Sequence, residues 1–431
     1  MKTVIMAGGR GTRISSVACD IPKPMIRIAG KPVLEHEIEC LRDQGFTDII
    51  ITVSHLGHVI MDYFGDGGRF GVNIEYYAEE TPLGNAGALY KLRDRLTEDF
   101  LLLNADAIFD IDFRRFVAYH RQCGGLATIF THPNSHPYDS GLIVTDGNNA
   151  VTQWLTKEDA RPAYYRNCVN AGLHVLSPAL LERAPGTEKV DLDRQILKPL
   201  AGTGKMFSYR SPEYVKDMGT PERYGAVCRD YENGLVKIRN LRNPQKAVFL
   251  DRDGTINRYV GFLRDINDFE LLPGAEEAIK KLNSSSYLAV VVTNQPVIAR
   301  GEVTVEQLDE IHKKMETLLG RACGYIDGLY YCPHHPDSGF EGEIPALKIK
   351  CECRKPKPGM LSQAAEDFNI DLAASWVIGD SKSDIQCGIN AGCRTVLIGK
   401  NDEYFGQQFT ESSLLAAVDK ILEVEKSEKQ S

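Results

Sequence analysis

Two doubly wound α/β domains are what this sequence predicts, on three observations. Short apolar runs bounded by Gly, Asn or Asp recur at Val4–Met6, Ile49–Val53, Leu101–Leu103, Val248–Leu250, Ala289–Val292, Val377–Ile378 and Val396–Ile398. Helical patterns lie between them, and the alternation stops and restarts near Lys246. A run that is apolar at every position suits a strand buried on both faces of a parallel sheet. Strands alternating with helices then stack into α/β layers.

Taken in order, Val4–Met6 opens the first domain, and Lys31–Gln44 reads as its first long helix. Ile49–Val53 and Leu101–Leu103 follow as buried strands, and helical Pro221–Leu235 closes a domain spanning residues 1–235. Residues 236–245 form a linker, because Arg239–Gln245 is polar and contains Asn243-Pro244, a pair that interrupts helix and strand alike. The second domain spans 246–431, with helices at Pro273–Leu282 and Thr304–Leu319. Leu414–Val424 has apolar residues at helical spacing, and Glu425–Ser431 reads as a solvated tail. No repeat with a period of about 20–50 residues is visible.

Composition narrows the partners. A chain of 431 residues, 43% hydrophobic and 25% charged, has the make-up of ordinary globular domains with real cores. The formal charge is −9 and no basic cluster tracks a nucleic-acid backbone, so nucleic acid is excluded as a partner. Anionic small molecules must therefore be held by helix amino termini, single Lys and Arg residues, and metal ions. The sequence has no basic start leading into an apolar run, and no apolar stretch near the roughly 18 residues a membrane span requires. A cytoplasmic protein is the expectation, and homo-oligomerisation is left open. Eleven cysteines, an odd number, fit a reducing compartment in which most are thiols and one cluster binds metal.

Gly8-Gly9-Arg10-Gly11-Thr12-Arg13 directly follows the first strand. Its glycines let backbone N–H groups approach a polyphosphate, and Arg10 and Arg13 add charge-assisted hydrogen bonds. A tight strand-to-helix turn would use the same glycines. Pro22-Lys23-Pro24 weighs against that plainer reading, since two prolines fix the backbone around one ammonium group.

These residues resemble the sugar nucleotidyltransferases, over Met1 to about Glu232. The resemblance implies a Rossmann-like domain that binds nucleotide through Gly8, Gly9, Gly11 and Thr12. It makes Gly84 and Asn85, within Thr81–Gly87, the base-binding loop in the form common among guanylyltransferases. It further implies Mg²⁺ on Asp106 and Asp217, sugar contact at Asn170, and neutralisation by Arg13 and Lys23 as pyrophosphate leaves. Where the family commonly has Glu-Lys, this chain has Thr156-Lys157. Lys157 keeps a reach toward phosphate, while the sugar contact changes.

In the second domain, Asp251-Arg252-Asp253-Gly254-Thr255 follows the apolar run Ala247–Leu250. Residues two apart at a strand end share a side, so both carboxylates can face one substrate. Further on, Cys332-x-His334 and Cys351-x-Cys353 offer four soft ligands in two close pairs, suited to tetrahedral Zn²⁺, with His335 as a competing ligand. Between the pairs, Pro336, Gly339, Gly342 and Pro345 mark an irregular loop that needs pinning. Four protein ligands leave no open position, so this zinc reads as structural; the plainer alternative is a set of buried thiols.

The Asp-x-Asp motif resembles the haloacid dehalogenase-like phosphatases, a Rossmannoid fold, with the remaining motifs in order. The resemblance implies Asp251 as nucleophile and Asp253 as the acid that protonates the leaving alcohol and then activates water. It places phosphoryl oxygens on Thr293 and Asn294, substrate on Arg354, a cation at Lys355, and Mg²⁺ on Asp251, Asp253 and Asp380. A finer resemblance, from Lys246 to about Lys400, is to the heptose-bisphosphate and histidinol-phosphate phosphatases. It is carried by Thr255-Ile256-Asn257, Thr293-Asn294-Gln295, Ala299-Arg300-Gly301, Cys332-Pro333-His334-His335 and Cys351–Pro356. Pro296-Val297 replaces the family's usual Ser-Gly, and Tyr259-Val260 occupies an often acidic spot.

Joined in one chain, the two resemblances imply loss of a 7-phosphate from D-glycero-D-manno-heptose 1,7-bisphosphate, then transfer of GMP from GTP to the remaining 1-phosphate. Histidinol phosphate leads to no nucleotide sugar and drops out. The alternatives are the same chemistries with another sugar or with ATP, CTP or UTP, and a chain in which one half binds ligand without turnover.

Overall fold

The computed structural model describes residues 1–8, 21–81, 83–182, 189–399 and 403–430. Its contacts divide the chain into two units. The first holds Met1–His132, Gly141–Asp159 and Cys168–Arg242; the second holds Pro133–Ser140, Ala160–Asn167 and Asn243–Ser431. Two stretches within residues 1–235, Pro133–Ser140 and Ala160–Asn167, thus group with the second unit and not with the first.

In the first unit β1 (Thr3–Met6), β2 (Asp48–Val53), β3 (Asn73–Ala78) and β4 (Phe100–Asn104) run parallel, in the order β3-β2-β1-β4. Strand order reverses between β1 and β4, the place where open α/β sheets form a binding crevice. Gly8 lies just beyond the carboxyl end of β1, and Asn104-Ala105-Asp106 lies at that of β4. Short β5 (Ala107–Asp110) continues from there. Beyond β4 the sheet takes in β6 (Ala127–His132), β7 (Leu142–Thr145), β8 (Val151–Leu155), β9 (Val169–Leu176) and β10 (Met206–Arg210), nine strands among the described residues. Its strand β9 runs antiparallel to β4, so the sheet is mixed. Leu173, His174, Val175 and Leu176 of β9 are nonetheless all buried, because an antiparallel strand covered on both faces also reads as a solid apolar run.

Strand β11 (Tyr214–Asp217) pairs with β5 and sets Asp217 opposite Ala107, beside Asp106. Helix α1 (Val33–Arg42) packs against β5. It is shorter than the pattern Lys31–Gln44 because Lys31 and Pro32 pair with Arg27 and Ile28 in a small hairpin. After β11, Thr220 caps α2 (Pro221–Glu232) by accepting from Arg223 N, with Pro221 at the first helical position, where its missing N–H costs nothing.

Among the described residues the second unit has six parallel strands: β12 (Lys246–Leu250), β13 (Tyr287–Asn294), β14 (Gly328–Cys332), β15 (Trp376–Gly379), β16 (Arg394–Ile398) and β17 (Phe409–Glu411). They are ordered β14-β13-β12-β15-β16-β17. The order reverses at β12, and Asp251 is the next residue. Helix α3 (Ala275–Asn283) packs on β13. Thr304 and Gln307 form a reciprocal cap at the start of α4 (Val305–Arg321), and α5 (Lys382–Asn390) follows β15. The end corrects the solvated-tail expectation: α6 runs Leu414–Gln430, and Glu425 is buried against Ser286 Oγ (2.8 Å) and Lys246 Nζ (3.4 Å). Among the described residues, no helix is long and apolar enough to cross a membrane.

Candidate active sites

At the first crevice, Lys23 sits in a 3-10 turn, Lys23–Met25, held between Pro22 and Pro24. Its Nζ donates to Asp106 Oδ2 at 2.7 Å. Asp217 Oδ1 accepts from Gly219 N at 2.8 Å, and both its oxygens meet Arg223 Nη1 at 3.1 Å. The β5–β11 pairing is reinforced by Met218 N donating to the Asp106 carbonyl at 3.3 Å. Asp106, in the turn between β4 and β5, and Asp217, ending β11, thus offer two carboxylates, each meeting a cation, a donor set suited to Mg²⁺ and a polyphosphate.

The remaining residues singled out by sequence surround this pair unevenly. Gly8 O accepts from Ser54 Oγ at 2.8 Å; Gly9, Gly11, Thr12 and Arg13 lie outside the described residues. Gly84 has φ +82°, and a Cβ there would stand 2.4 Å from Val190 O, so no other residue fits. Asn85 turns its amide oxygen to Leu192 N at 2.8 Å, a scaffold bond that shapes the loop. Asn170 Oδ1 accepts from Gly172 N at 3.1 Å. Lys157 stands exposed after β8, while Thr156 N and Oγ1 both bond Asp159 Oδ2 at 2.7 Å.

Sequence reasoning missed Glu37. It is fully buried on α1, and neither carboxyl oxygen has a hydrogen-bond partner among the described residues. Burial, helped by the charge of Asp106 and opposed by Lys23, pushes its carboxyl well above the ordinary range. The signal was present: Leu34, Glu37, Ile38 and Leu41 share one helical face, and an acid there has no exit to water.

At the second crevice, Lys355 Nζ reaches Asp251 Oδ1 at 2.7 Å, Asp384 Oδ1 at 2.6 Å and Val292 O at 2.9 Å. Burial alone would lower this ammonium, but Asp251 and Asp384 hold it above its ordinary value. For Asp251, burial raises the carboxyl; Lys355 opposes that, and the charges of Asp384 and Asp253 add to it. Asp251, Asp380 and Asp384 each offer an oxygen within 4.8 Å of the others, a set that can hold a divalent cation. Gly254 makes this possible: its φ is +86°, and a Cβ there would lie 1.9 Å from Asp380 Oδ2.

Asp253 stands apart from that cluster, where sequence grouped it with Asp251 and Asp380 as a metal ligand. Its carboxylate is gripped by Arg252 (Nη2 at 2.7 and 3.0 Å, Nε at 3.2 Å), Asn257 Nδ2 at 3.0 Å and Gln295 Nε2 at 2.8 Å. Burial would raise it, but the Arg252 charge and these donors outweigh burial and hold it below the usual carboxylate range. Arg252, Asn257 and Gln295 escaped assignment because their direction is set by packing.

Thr293 Oγ1 accepts from Gln295 Nε2 at 2.9 Å. Asn294 clamps the Lys355 backbone, accepting from its N at 3.0 Å and donating to its O at 3.2 Å. Arg354 donates to His334 O at 3.2 Å. Nearby, the Arg300 guanidinium lies between the rings of Phe262 (4.2 Å) and Phe340 (4.1 Å), with Tyr259 exposed.

Cys332, His334, Cys351 and Cys353 converge, with sulfur–sulfur separations of 3.3–3.5 Å and His334 Nδ1 at 3.3 Å from Cys353 and 3.6 Å from Cys332. Four ligands gathered this closely can surround one ion tetrahedrally, the arrangement a structural zinc takes. His335 instead accepts from Asp337 N at 3.2 Å. Cys353 is two residues from Lys355, so the cluster anchors the strand of chain that delivers the lysine.

A parallel-sheet unit with a carboxylate at its switch point, joined in one chain to a unit whose crevice suits a polyphosphate, defines an enzyme with two phosphate chemistries. Residues 2–234 match the nucleotidyl transferase family, and residues 352–405 match the HAD-hydrolase-like family. The chain belongs to the nucleotidyl transferase family and joins to it a HAD-hydrolase-like phosphatase. D-glycero-beta-D-manno-heptose-1,7-bisphosphate 7-phosphatase of Haemophilus ducreyi is 43% identical over 155 residues, 36% of this chain and 82% of that protein. "Probable mannose-1-phosphate guanylyltransferase 2" of Oryza sativa subsp. japonica is 30% identical over 243 residues, 55% of this chain and 66% of that protein. UTP–glucose-1-phosphate uridylyltransferase of Synechocystis sp. is 35% identical over 260 residues, 57% of this chain and 66% of that protein.

Proposed function

We propose that this chain converts D-glycero-D-manno-heptose 1,7-bisphosphate to GDP-heptose in two steps, first removing the 7-phosphate and then transferring GMP from GTP to the 1-phosphate. The observation that carries this reading is the joining of two units in one chain. The second is 43% identical to a phosphatase whose name specifies the 1,7-bisphosphate, and the 1-phosphate so left is what a sugar nucleotidyltransferase consumes. The guanylyltransferase relative and the Thr81–Gly87 loop favour GTP. The uridylyltransferase relative favours a second reading, in which UTP donates the nucleotide.

In the first step an Asp251 oxygen attacks phosphorus, the bond from phosphorus to the sugar oxygen breaks, and that oxygen takes a proton from Asp253, whose carboxyl the negative charge of the bound phosphate raises again. Water then attacks the aspartyl phosphate and gives its proton to Asp253, freeing orthophosphate and restoring Asp251. Lys355 balances the nucleophile's charge, and Thr293, Asn294 and Arg354 lie at the phosphoryl edge. Mg²⁺ on Asp251 and Asp380 would offset phosphate charge, with Asp384 completing the set. In the second step Lys23, Arg13 and residues Gly8–Thr12 hold the triphosphate, Gly84 and Asn85 shape the base loop, and Asn170 and Lys157 face the sugar phosphate. Asp106 and Asp217 would hold the second Mg²⁺. Zinc at Cys332, His334, Cys351 and Cys353 is structural, and the enzyme works in the cytoplasm, where thiols stay reduced.

The test supplies purified chain with the 1,7-bisphosphate, Mg²⁺ and all four nucleoside triphosphates, and reads orthophosphate and nucleotide sugar by mass spectrometry. GDP-heptose is expected, UDP-heptose would establish the second reading, and neither product would refute both. Asp251→Asn should abolish orthophosphate release and spare nucleotidyl transfer from heptose 1-phosphate.

A further inference from the structure

The segment Ala160–Asn167 belongs to the second unit although it precedes that unit's first strand by some eighty residues of chain. Its Arg166 donates to Asp309 Oδ1 (Nη2 at 2.7 Å, Nε at 3.1 Å) and to Glu316 Oε1 (Nη1 at 2.7 Å). Asn167 N donates to Glu316 Oε2 at 2.8 Å, and Tyr165 N to Thr317 Oγ1 at 2.8 Å. Asp309, His312 and Glu316 lie three and four positions apart, so they line one face of α4. Two acids on that face are tied to one guanidinium, with His312 between them.

His312 is fully buried, and its Nε2 lies 3.1 Å from Arg252 Nη1. A guanidinium only donates, so Nε2 must accept, and the ring's proton sits on Nδ1. Burial first, then the charges of Arg252 and Arg166, keep this imidazole neutral. Arg252 is itself wholly buried, and its remaining nitrogens grip Asp253. An unbroken series of contacts therefore runs from Arg166 through the α4 face and Arg252 to the Asp253 carboxylate.

We propose that His312 and Arg166 are positioning residues for proton transfer by Asp253, acting through Arg252. With its Nη1 held by His312, Arg252 presents a fixed fork, and Asp253 has one orientation from which to meet the leaving oxygen. Arg166 keeps the α4 face in register by balancing Asp309 and Glu316. This inference rests on Asp253 being the acid of the phosphatase step.

The test uses full-length His312→Leu, His312→Gln and Arg166→Gln, and two substrates. A sugar bisphosphate releases an alkoxide that needs the Asp253 proton, whereas p-nitrophenyl phosphate releases a phenolate that leaves without one. His312→Leu should lower kcat on the bisphosphate by about 10–100-fold with KM within about twofold. The single-turnover rate of p-nitrophenol release should stay within about threefold of wild type, since aspartyl-phosphate formation needs no proton there. His312→Gln offers an amide oxygen to Arg252 Nη1 and should recover most of the loss, and Arg166→Gln should show the same split between substrates, reduced in size. Equal losses on both substrates, no loss at all, or a Gln variant no better than Leu would each overturn the proposal. Orthophosphate release that survives Asp251→Asn would instead refute the aspartyl-phosphate mechanism on which it depends. If His312→Leu does not fold, Arg166→Gln decides by the same split.

Discussion

Replacing Glu213 by Gln should remove a pH-dependent weakness from the first unit. Glu213 is 2% exposed; its Oε1 accepts from Asp112 N (2.6 Å) and Leu241 N (3.0 Å), and Oε2 meets Ser211 Oγ at 2.9 Å. Burial raises its carboxyl from an ordinary 4.5 to about 7, with those three donors opposing. The folded state therefore holds this proton more tightly than the unfolded chain does. Its contribution is complete below about 4.5 and is lost as pH rises toward about 7, where burying a charge penalises the fold. At 1.36 kcal/mol per pH unit the loss is about 3 kcal/mol. A glutamine keeps both bonds to Oε1 and can donate from Nε2 to Ser211 Oγ, so the variant retains the contacts without the charge. The assay is thermal unfolding followed by Trp154, which lies in the first unit, in a Trp376→Phe background that removes the chain's second tryptophan. The two proteins should match at pH 5, and the Gln variant should melt about 6–12 °C higher at pH 8. Curves that stay parallel across that range would refute the reasoning.

Gly254→Ala would place a Cβ on the Asp380 carboxylate, and phosphatase kcat should fall by about 100-fold while nucleotidyl transfer is unchanged. Steady-state kinetics on both half-reactions check this, and a variant that keeps a tenth or more of its phosphatase rate would show that Asp380 can relocate. Cys353→Ser should reduce bound zinc from about one equivalent to near zero and cut phosphatase activity at least tenfold, because Lys355 loses its anchor. Elemental analysis alongside phosphate release tests it; full activity without metal would mean the loop holds its shape unaided.

The sequence marked the sites where chemistry is carried by close spacing along the chain. Asp251 at the end of a solid apolar run, the paired cysteines two apart, and Lys23 between prolines were all legible, because strand and turn geometry over a few residues places them. The alternation of runs also predicted α/β layers, though not that β9 would enter antiparallel, since burial on both faces looks alike in either direction.

What only the tertiary structure decided is which groups share a charge and which way each side chain is turned. Lys355 meets Asp251 across 104 positions, Arg252 meets His312 across 60, and Arg166 meets Asp309 across 143. No local pattern predicts those pairings, because each depends on how two elements pack and how little water reaches between them. The same holds for Glu37 and Glu213, whose carboxyls are raised by burial, a property that exists only once the chain has closed around them.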